Sequence, residues 1–302
     1  MRKLSNLPVV IDAAGGESGL TGSIVKQYED MVERCLMECS STVVGKSVFA
    51  KIRQRGRVLI IPYTIAVADA IGITDPYKPN AFALGMRGAI RFNTLQNGLF
   101  EKIEALATTS VVAFSPLRFE LIRSPRMKGA AGFKAGDVLL HELVHAGRKL
   151  GGQSRDSKPL TGRLARYDDE EEYFAILVAN IHMSELGRAA PLGLNLPWTA
   201  YAGEARSNIR ADHGIGELPP MLAGSDAFLA NPDNFALVKK FIAQEGIFAS
   251  WIGFSRASFN PIRTYAEWKT NGSPMYWQDE WWFPTEFKRK LERSAEINKP
   301  KP

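Results

Sequence analysis

The sequence has few cysteines and no long apolar run, and each absence removes a class of protein. Only two of its 302 residues are cysteine, Cys35 and Cys39. On a helix this spacing puts both thiols on one face, but a structural zinc site needs further ligands, so we predict reduced residues in the core or at its boundary. No apolar run reaches about 18 residues, which excludes a helical membrane span. The apolar stretch near the N-terminus is too short for a secretory signal peptide.

Most of the chain also lacks a strong excess of positive or negative residues. The net charge is +6, and residues 284–302 hold six Lys or Arg against three Glu, which is half of that excess. A solvated helix with a frayed end explains such a cluster better than a nucleic-acid-binding surface does. We therefore predict no nucleic-acid partner.

The composition is that of a globular protein with a sizeable core, since 45% of the residues are hydrophobic and 23% are charged. The sequence shows no internal repeat, no low-complexity tract and no clear linker. We predict a flexible lead-in at 1–22, which is rich in Gly and Ser, and a main domain at 23–250. Residues 251–302 form a predicted C-terminal extension with aromatic and basic residues.

Alternating and apolar segments in the first half predict a small sheet. A helical pattern runs from Ser23 to Met37, with Ser23 as its N-cap. The segment "SVFAKIRQRGRVLIIPY" (47–63) is interpreted as two strands joined near 54–56, since Lys and Arg stand at every second position there. Further short strands are predicted at 88–93 and 110–116. Together these strands predict a small, mostly antiparallel sheet.

Three helices are predicted in the second half, and the fold class is therefore α+β. The first begins near Asp137 as N-cap and carries "VLLHELVHAG" (138–147). The second is "DDEEEYFAILVANIHMSELG" (168–187), which has an acidic start and a closing glycine and is strongly apolar between them. The third covers roughly 232–245.

The segment "HELVH" is the strongest chemical signal in the chain. Residues four apart lie on one helix face, so His141 and His145 can direct their ring nitrogens at one metal ion. Glu142 can hold a water bound to that metal and act as its general base. The helix is otherwise apolar here, and burying three polar side chains is costly unless something pairs them. The pattern predicts a catalytic Zn²⁺ site.

A catalytic zinc site needs a third protein ligand. The candidates are His182, His213 and the carboxylates at the start of the second helix. Glu172 is favoured because Ala175 and Ala179 follow it on one helical stripe, where small side chains allow a close approach of the zinc helix. Glu171 is the rival.

The segment "IRADHG" (209–214) is a candidate for the second half of the site. A zinc hydrolase needs a donor for the developing oxyanion, which is commonly a His, Tyr or Arg on a neighbouring loop. His213 is assigned this catalytic role, and Arg210 is the alternative.

The ordered segments "VLLHELVHAGRKLGG", "DDEEEYFAILVANIHMSELGR", "IRADHG" and "FLANPDNFALVKKF" resemble the zinc metallopeptidase effector family. That family includes NleD-like enterobacterial effectors and toxin domains fused to type VI secretion spike and Rhs proteins. The resemblance implies a zincin-like fold, with His141, His145 and Glu172 as zinc ligands and Glu142 as the base. The residues from Glu172 to Ala175 are also similar to the third-ligand segment of the gluzincins.

The resemblance implies a secreted effector or toxin that hydrolyses a protein or peptide substrate in a target cell, either a host cell or a competitor bacterium. It also implies export without a signal peptide, a cytoplasmic location in the producer before export, and an immunity protein or a part of the secretion machinery as partner. Two alternatives stay open: a zinc hydrolase of cell-wall peptides, and a non-catalytic protein that binds through "YWQDEWWFP" (276–284) and the basic tail.

Overall fold

The computed structural model shows an α+β fold in which a small mixed sheet packs against a group of helices. It describes residues 2–14, 19–64, 81–84, 109–117, 134–161, 164, 167, 169–188, 225–229 and 232–270. The predicted strand at 88–93 lies outside these ranges.

The described strands form one sheet of five. They are β1 (Arg2–Lys3), β2 (Val9–Ile11), β3 (Arg57–Ile61), β4 (Ala81–Leu84) and β5 (Thr109–Phe114), in the order β1-β2-β3-β5-β4. The three central strands pair in parallel, and only the two outer pairings are antiparallel. The prediction of a mostly antiparallel sheet is therefore wrong. Parallel neighbours need long crossover connections, and two helices separate β2 from β3 along the chain.

The N-terminal residues contribute to this sheet. In β2, Val10 pairs with Leu59 of β3, and Ile11 is completely buried. The prediction of a flexible lead-in is thus wrong for β1 and β2. Strand β5 is buried along its whole length, as expected for a strand with neighbours on both sides and both faces covered.

The described helices confirm most of the helical predictions. They are α1 (Gly22–Ser40), α2 (Val43–Arg55), α3 (Ala135–Gly151), α4 (Glu170–Glu185), α5 (Ser225–Leu229), α6 (Pro232–Glu245), α7 (Ile247–Gly253) and α8 (Pro261–Thr270). Cys35 and Cys39 are free thiols on α1, at the edge of the core and inside it, as predicted. No helix in the described ranges combines the length and apolarity needed to cross a membrane.

Helix α2 replaces a predicted strand. The hydroxyl of Thr42 accepts a hydrogen bond from the Gly45 amide at 2.9 Å and so caps the helix. The buried apolar positions Val44, Val48 and Ile52 recur at helical spacing. The alternation of Lys and Arg was misleading, because Lys51 is buried while Arg53 and Arg55 are exposed on the last turn.

Helix α3 is the central helix of the fold and packs on α1, α2, α4 and the β4–β5 edge of the sheet. It begins at Ala135 with Lys134 as its N-cap, so the prediction that Asp137 caps it is wrong. The carboxylate of Asp137 is completely buried in the first turn and pairs with Arg188 beyond the end of α4.

The predicted boundary at residue 250 also falls inside the fold. Helix α7 spans that position, and Phe259 and Ile262 belong to the same hydrophobic core as α3 and α4. The main domain therefore continues to α8. Residues 271–302, with the Trp-rich block and the basic tail, lie outside the described residues.

Candidate metal centre

The packing of α3 against α4 brings three donor side chains together. His141 and His145 lie one turn apart on α3, and Glu172 lies in the first turn of α4. The α4 start is held by Asp169, whose carboxylate accepts from the Glu172 amide at 2.9 Å. Ala175 and Ala179, one and two turns further along α4, are completely buried. Small buried side chains at these two positions are compatible with the predicted close approach of the two helices.

The donor atoms have the spacing of ligands around one small cation. The two Nε2 atoms of His141 and His145 are 3.0 Å apart. The Glu172 oxygens lie 3.4 Å from Nε2 of His141 and 3.2 Å from Nε2 of His145. Two ligand atoms that are each about 2.1 Å from a tetrahedral zinc are separated by about 3.4 Å. The residues present therefore fit a zinc ion, and these three form the group that could hold a metal within the described residues.

The neighbouring Glu171 has a different position. Its Oε1 lies 3.2 Å from Nδ1 of His145, the ring nitrogen that faces away from the cluster. Its Oε2 accepts from Nε of Arg148 at 2.8 Å. A donor at Nδ1 leaves the lone pair of Nε2 directed at the three-residue cluster. Glu171 thus orients a possible ligand, a common role for a carboxylate behind a metal-bound histidine.

The cluster is strongly coupled electrostatically. Burial alone lowers the pKa of His145, but hydrogen bonds to Glu171 and Glu172 outweigh it and raise that pKa to about 10. Burial alone raises the pKa of the Glu172 carboxyl, but the adjacent His141 and His145 hold it well below its usual range. Carboxylates in this buried site thus require a positive partner, which a proton or a metal cation can supply.

Glu142 is buried beside the cluster. The pKa of Lys149 is lowered by burial, and the negative charge of Glu142 is the largest opposing influence. The negative charge of Glu142 also raises the pKa of His145, although less than the hydrogen bonds to Glu171 and Glu172 do. Glu142 directly follows His141 on α3, so its carboxylate belongs to the same turn as that donor.

Two further candidates from the sequence have different outcomes. His182 is completely buried, and its Nδ1 lies 2.7 Å from the Thr42 hydroxyl at the start of α2, so it is a core residue. His213 and the alternative Arg210 lie outside the described residues, and the assignment of an oxyanion donor stays a prediction.

An ionic network behind the cluster was not predicted from the sequence. Arg148 contacts both Glu171 and Glu245, and Glu245 also pairs with Lys51. A weak signal existed for Arg148, because it follows His145 by three residues and so lies on the same side of α3. No local pattern could identify Glu245, which is 97 residues further along the chain.

Comparison with family models, curated proteins and solved structures finds no match to this chain. The resemblance to zinc metallopeptidase effectors therefore rests on the quoted segments alone.

Proposed function

We propose that the protein is a zinc-dependent endopeptidase with a zincin-like arrangement of α3 and α4. The observation that supports this most is the convergence of His141, His145 and Glu172 from two helices, with Glu142 buried beside them. Two histidines and one carboxylate are a ligand set of catalytic zinc, which keeps its fourth position for water or substrate.

In this proposal, different residues bind the metal, orient a ligand and transfer the proton. His141, His145 and Glu172 would hold the metal, and Glu171 would fix the ring of His145 through Nδ1. Zinc in such a site polarises a carbonyl and lowers the pKa of water to about 7. Glu142 accepts the proton as water attacks the peptide carbonyl, and then delivers a proton to the departing amine.

The proposed cellular role rests only on the resemblance of the sequence to zinc metallopeptidase effectors. We propose an effector or toxin that leaves the producing cell without a signal peptide and acts in a host cell or a competitor bacterium. An immunity protein or a component of the secretion machinery is the proposed partner. A hydrolase of cell-wall peptides would use the same centre, so the substrates tested should include both proteins and peptidoglycan fragments.

The proposal is tested by metal content and hydrolysis in matched variants. We expect about one zinc per chain by mass spectrometry of protein purified without added metal. His141→Ala and His145→Ala remove a ligand and should lose the metal. Glu142→Gln keeps all three ligands and nearly the same shape, so zinc should stay while hydrolysis of a mixed peptide library falls by at least about 100-fold, which is the lower range for loss of a general base.

Two results would contradict the proposal. One is substoichiometric zinc in unmodified protein under metal-replete conditions. The other is full hydrolysis by Glu142→Gln, which would remove Glu142 from the mechanism while leaving the metal site intact. A circular dichroism spectrum of each variant shows that the loss does not come from unfolding.

A further inference from the structure

Four ionised side chains form a buried row that ends at the metal cluster. Lys51, Glu245, Arg148 and Glu171 alternate in sign, and their side chains are between 0% and 8% exposed. The row joins four helices, from Lys51 on α2 through Glu245 on α6 and Arg148 on α3 to Glu171 on α4. It continues through Glu171 to Nδ1 of His145.

Arg148 is the centre of this row, and its guanidinium is fixed on several sides. Its Nε donates to Glu171 at 2.8 Å, its Nη1 donates to Glu245, and its Nη2 lies 3.3 Å from the side-chain oxygen of Gln244. The ring of Phe174 lies 4.8 Å from the guanidinium carbon. A planar guanidinium can hold two carboxylates at a set angle, which an ammonium group cannot do.

Stabilisation of the fold does not by itself explain why four charged side chains are buried here. Taking charges out of water costs about as much as their attraction returns, and well-packed apolar residues often stabilise a fold equally well. One end of the row contacts the metal cluster, because Glu171 lies against Nδ1 of His145 and orients its ring. A fixed Glu171 needs a fixed Arg148, and Arg148 in turn is held by Glu245.

We propose that Arg148 and Glu245 are positioning residues of the zinc centre: they hold Glu171 in place, and Glu171 holds His145 at the angle that metal binding requires. The inference rests on the proposed function, since it concerns the same metal. It assigns to α6, through its last residue, a role in zinc affinity although this helix supplies no ligand.

The test measures zinc affinity by competition with a chromophoric chelator in the full-length protein. Glu245→Gln and Arg148→Lys should each weaken zinc binding about 10-fold, at the lower end of the loss caused by removing a group behind a ligand. The visible spectrum of the Co²⁺-loaded protein should change with them, because it reports the geometry of the ligands. Arg148→Lys keeps the buried positive charge and removes only the planar guanidinium that contacts two carboxylates. It therefore provides a measurement even if Glu245→Gln does not fold.

A double-mutant cycle separates positioning from general loosening of the fold. If Glu245 acts through Glu171, then Glu245→Gln should have almost no further effect on zinc affinity in a Glu171→Gln background. Asp137→Asn is the matched control: Asp137 lies on α3, as Arg148 does, and the substitution weakens its ion pair with Arg188 beyond the end of α4. This control should lower stability and leave zinc affinity unchanged.

The inference is overturned if Glu245→Gln and Arg148→Lys bind zinc as tightly as the unmodified protein. It is also overturned if their effects simply add to that of Glu171→Gln, or if Asp137→Asn weakens zinc to the same extent. All of these results leave the proposed function standing. Absence of zinc from the unmodified protein would contradict the proposed function itself, and the inference with it.

Discussion

At the scale of single residues, two adjacent glutamates at the start of α4 have different surroundings. Consecutive helical residues diverge by about 100° around the axis, so Glu171 and Glu172 cannot face the same neighbour. Glu172 approaches the Nε2 atoms of His141 and His145, and Glu171 approaches Nδ1 of His145 and the guanidinium of Arg148. In the proposed zinc centre, Glu172 is therefore a ligand and Glu171 orients one.

This difference predicts unequal effects of the same substitution. Glu172→Gln replaces a charged ligand by a neutral amide, which binds zinc poorly, so zinc affinity and hydrolysis should both be lost. Glu171→Gln should retain zinc with about 10- to 100-fold weaker binding. Isothermal titration with zinc and a hydrolysis assay measure both variants. Complete metal loss in Glu171→Gln together with normal affinity in Glu172→Gln would reverse the two assignments.

At the scale of helices, two glycines lie where neighbouring helices meet, and only one of them is required there. Gly45 lies in the first turn of α2, and a Cβ added there would overlap the carbonyl oxygen of Cys39 on α1, so the junction of α1 and α2 has no space for a side chain at this position. A Cβ added at Gly147 on α3 would lie 3.4 Å from Ile52 of α2, which is an ordinary contact. Only the first glycine is required by packing.

Gly45→Ala should therefore destabilise the protein by about 1–3 kcal/mol, because the α1–α2 turn must move. Gly147→Ala should leave the free energy of unfolding unchanged or raise it by up to about 1 kcal/mol, since alanine has a higher helix propensity than glycine. Urea unfolding of both variants gives the comparison. Equal stability of the two variants would show that the α1–α2 turn adapts without cost.

At the scale of the whole molecule, a neutral histidine in the core links stability to pH. His182 lies on α4, and its pKa is lowered to about 3, first by burial and second by the positive charge of Arg188. Its Nδ1 contacts the Thr42 hydroxyl at the start of α2. Because the unfolded histidine titrates near 6.5, the unfolded state binds more protons than the folded state between pH 6.5 and 3. The stability contributed by neutral His182 is present above pH 6.5 and is lost as the pH falls below it.

His182→Asn keeps an amide near the position of Nδ1 and cannot titrate in this range. The slope is about 1.4 kcal/mol per pH unit, so the variant should lose about 2 kcal/mol less stability than the unmodified protein between pH 7.5 and pH 5. Chemical unfolding of both metal-free proteins at the two pH values measures the difference. Identical pH dependence would show that His182 is solvated or protonated in the folded state.

The sequence by itself determined the features that depend on neighbours along the chain. Helix α1 follows from its periodic apolar residues, and α4 follows from its acidic start, its apolar middle and its closing glycine. The placement of His141, Glu142 and His145 on one helix follows from their spacing. The same local logic failed for α2, because alternating basic residues at its end outweighed the helical spacing of Val44, Val48 and Ile52 in the interpretation.

Tertiary structure alone decided which elements meet. The parallel pairing of β2, β3 and β5 depends on crossovers whose direction no local pattern records. The stripe of Ala175 and Ala179 favoured Glu172 over Glu171 from the sequence, but the rotation of α4 against α3, which decides between them, depends on the packed helices. The contact of Glu245 with Arg148 joins residues 97 positions apart. The energy of a buried charge depends on the partner that the fold brings to it, and only the packed helices supply that partner.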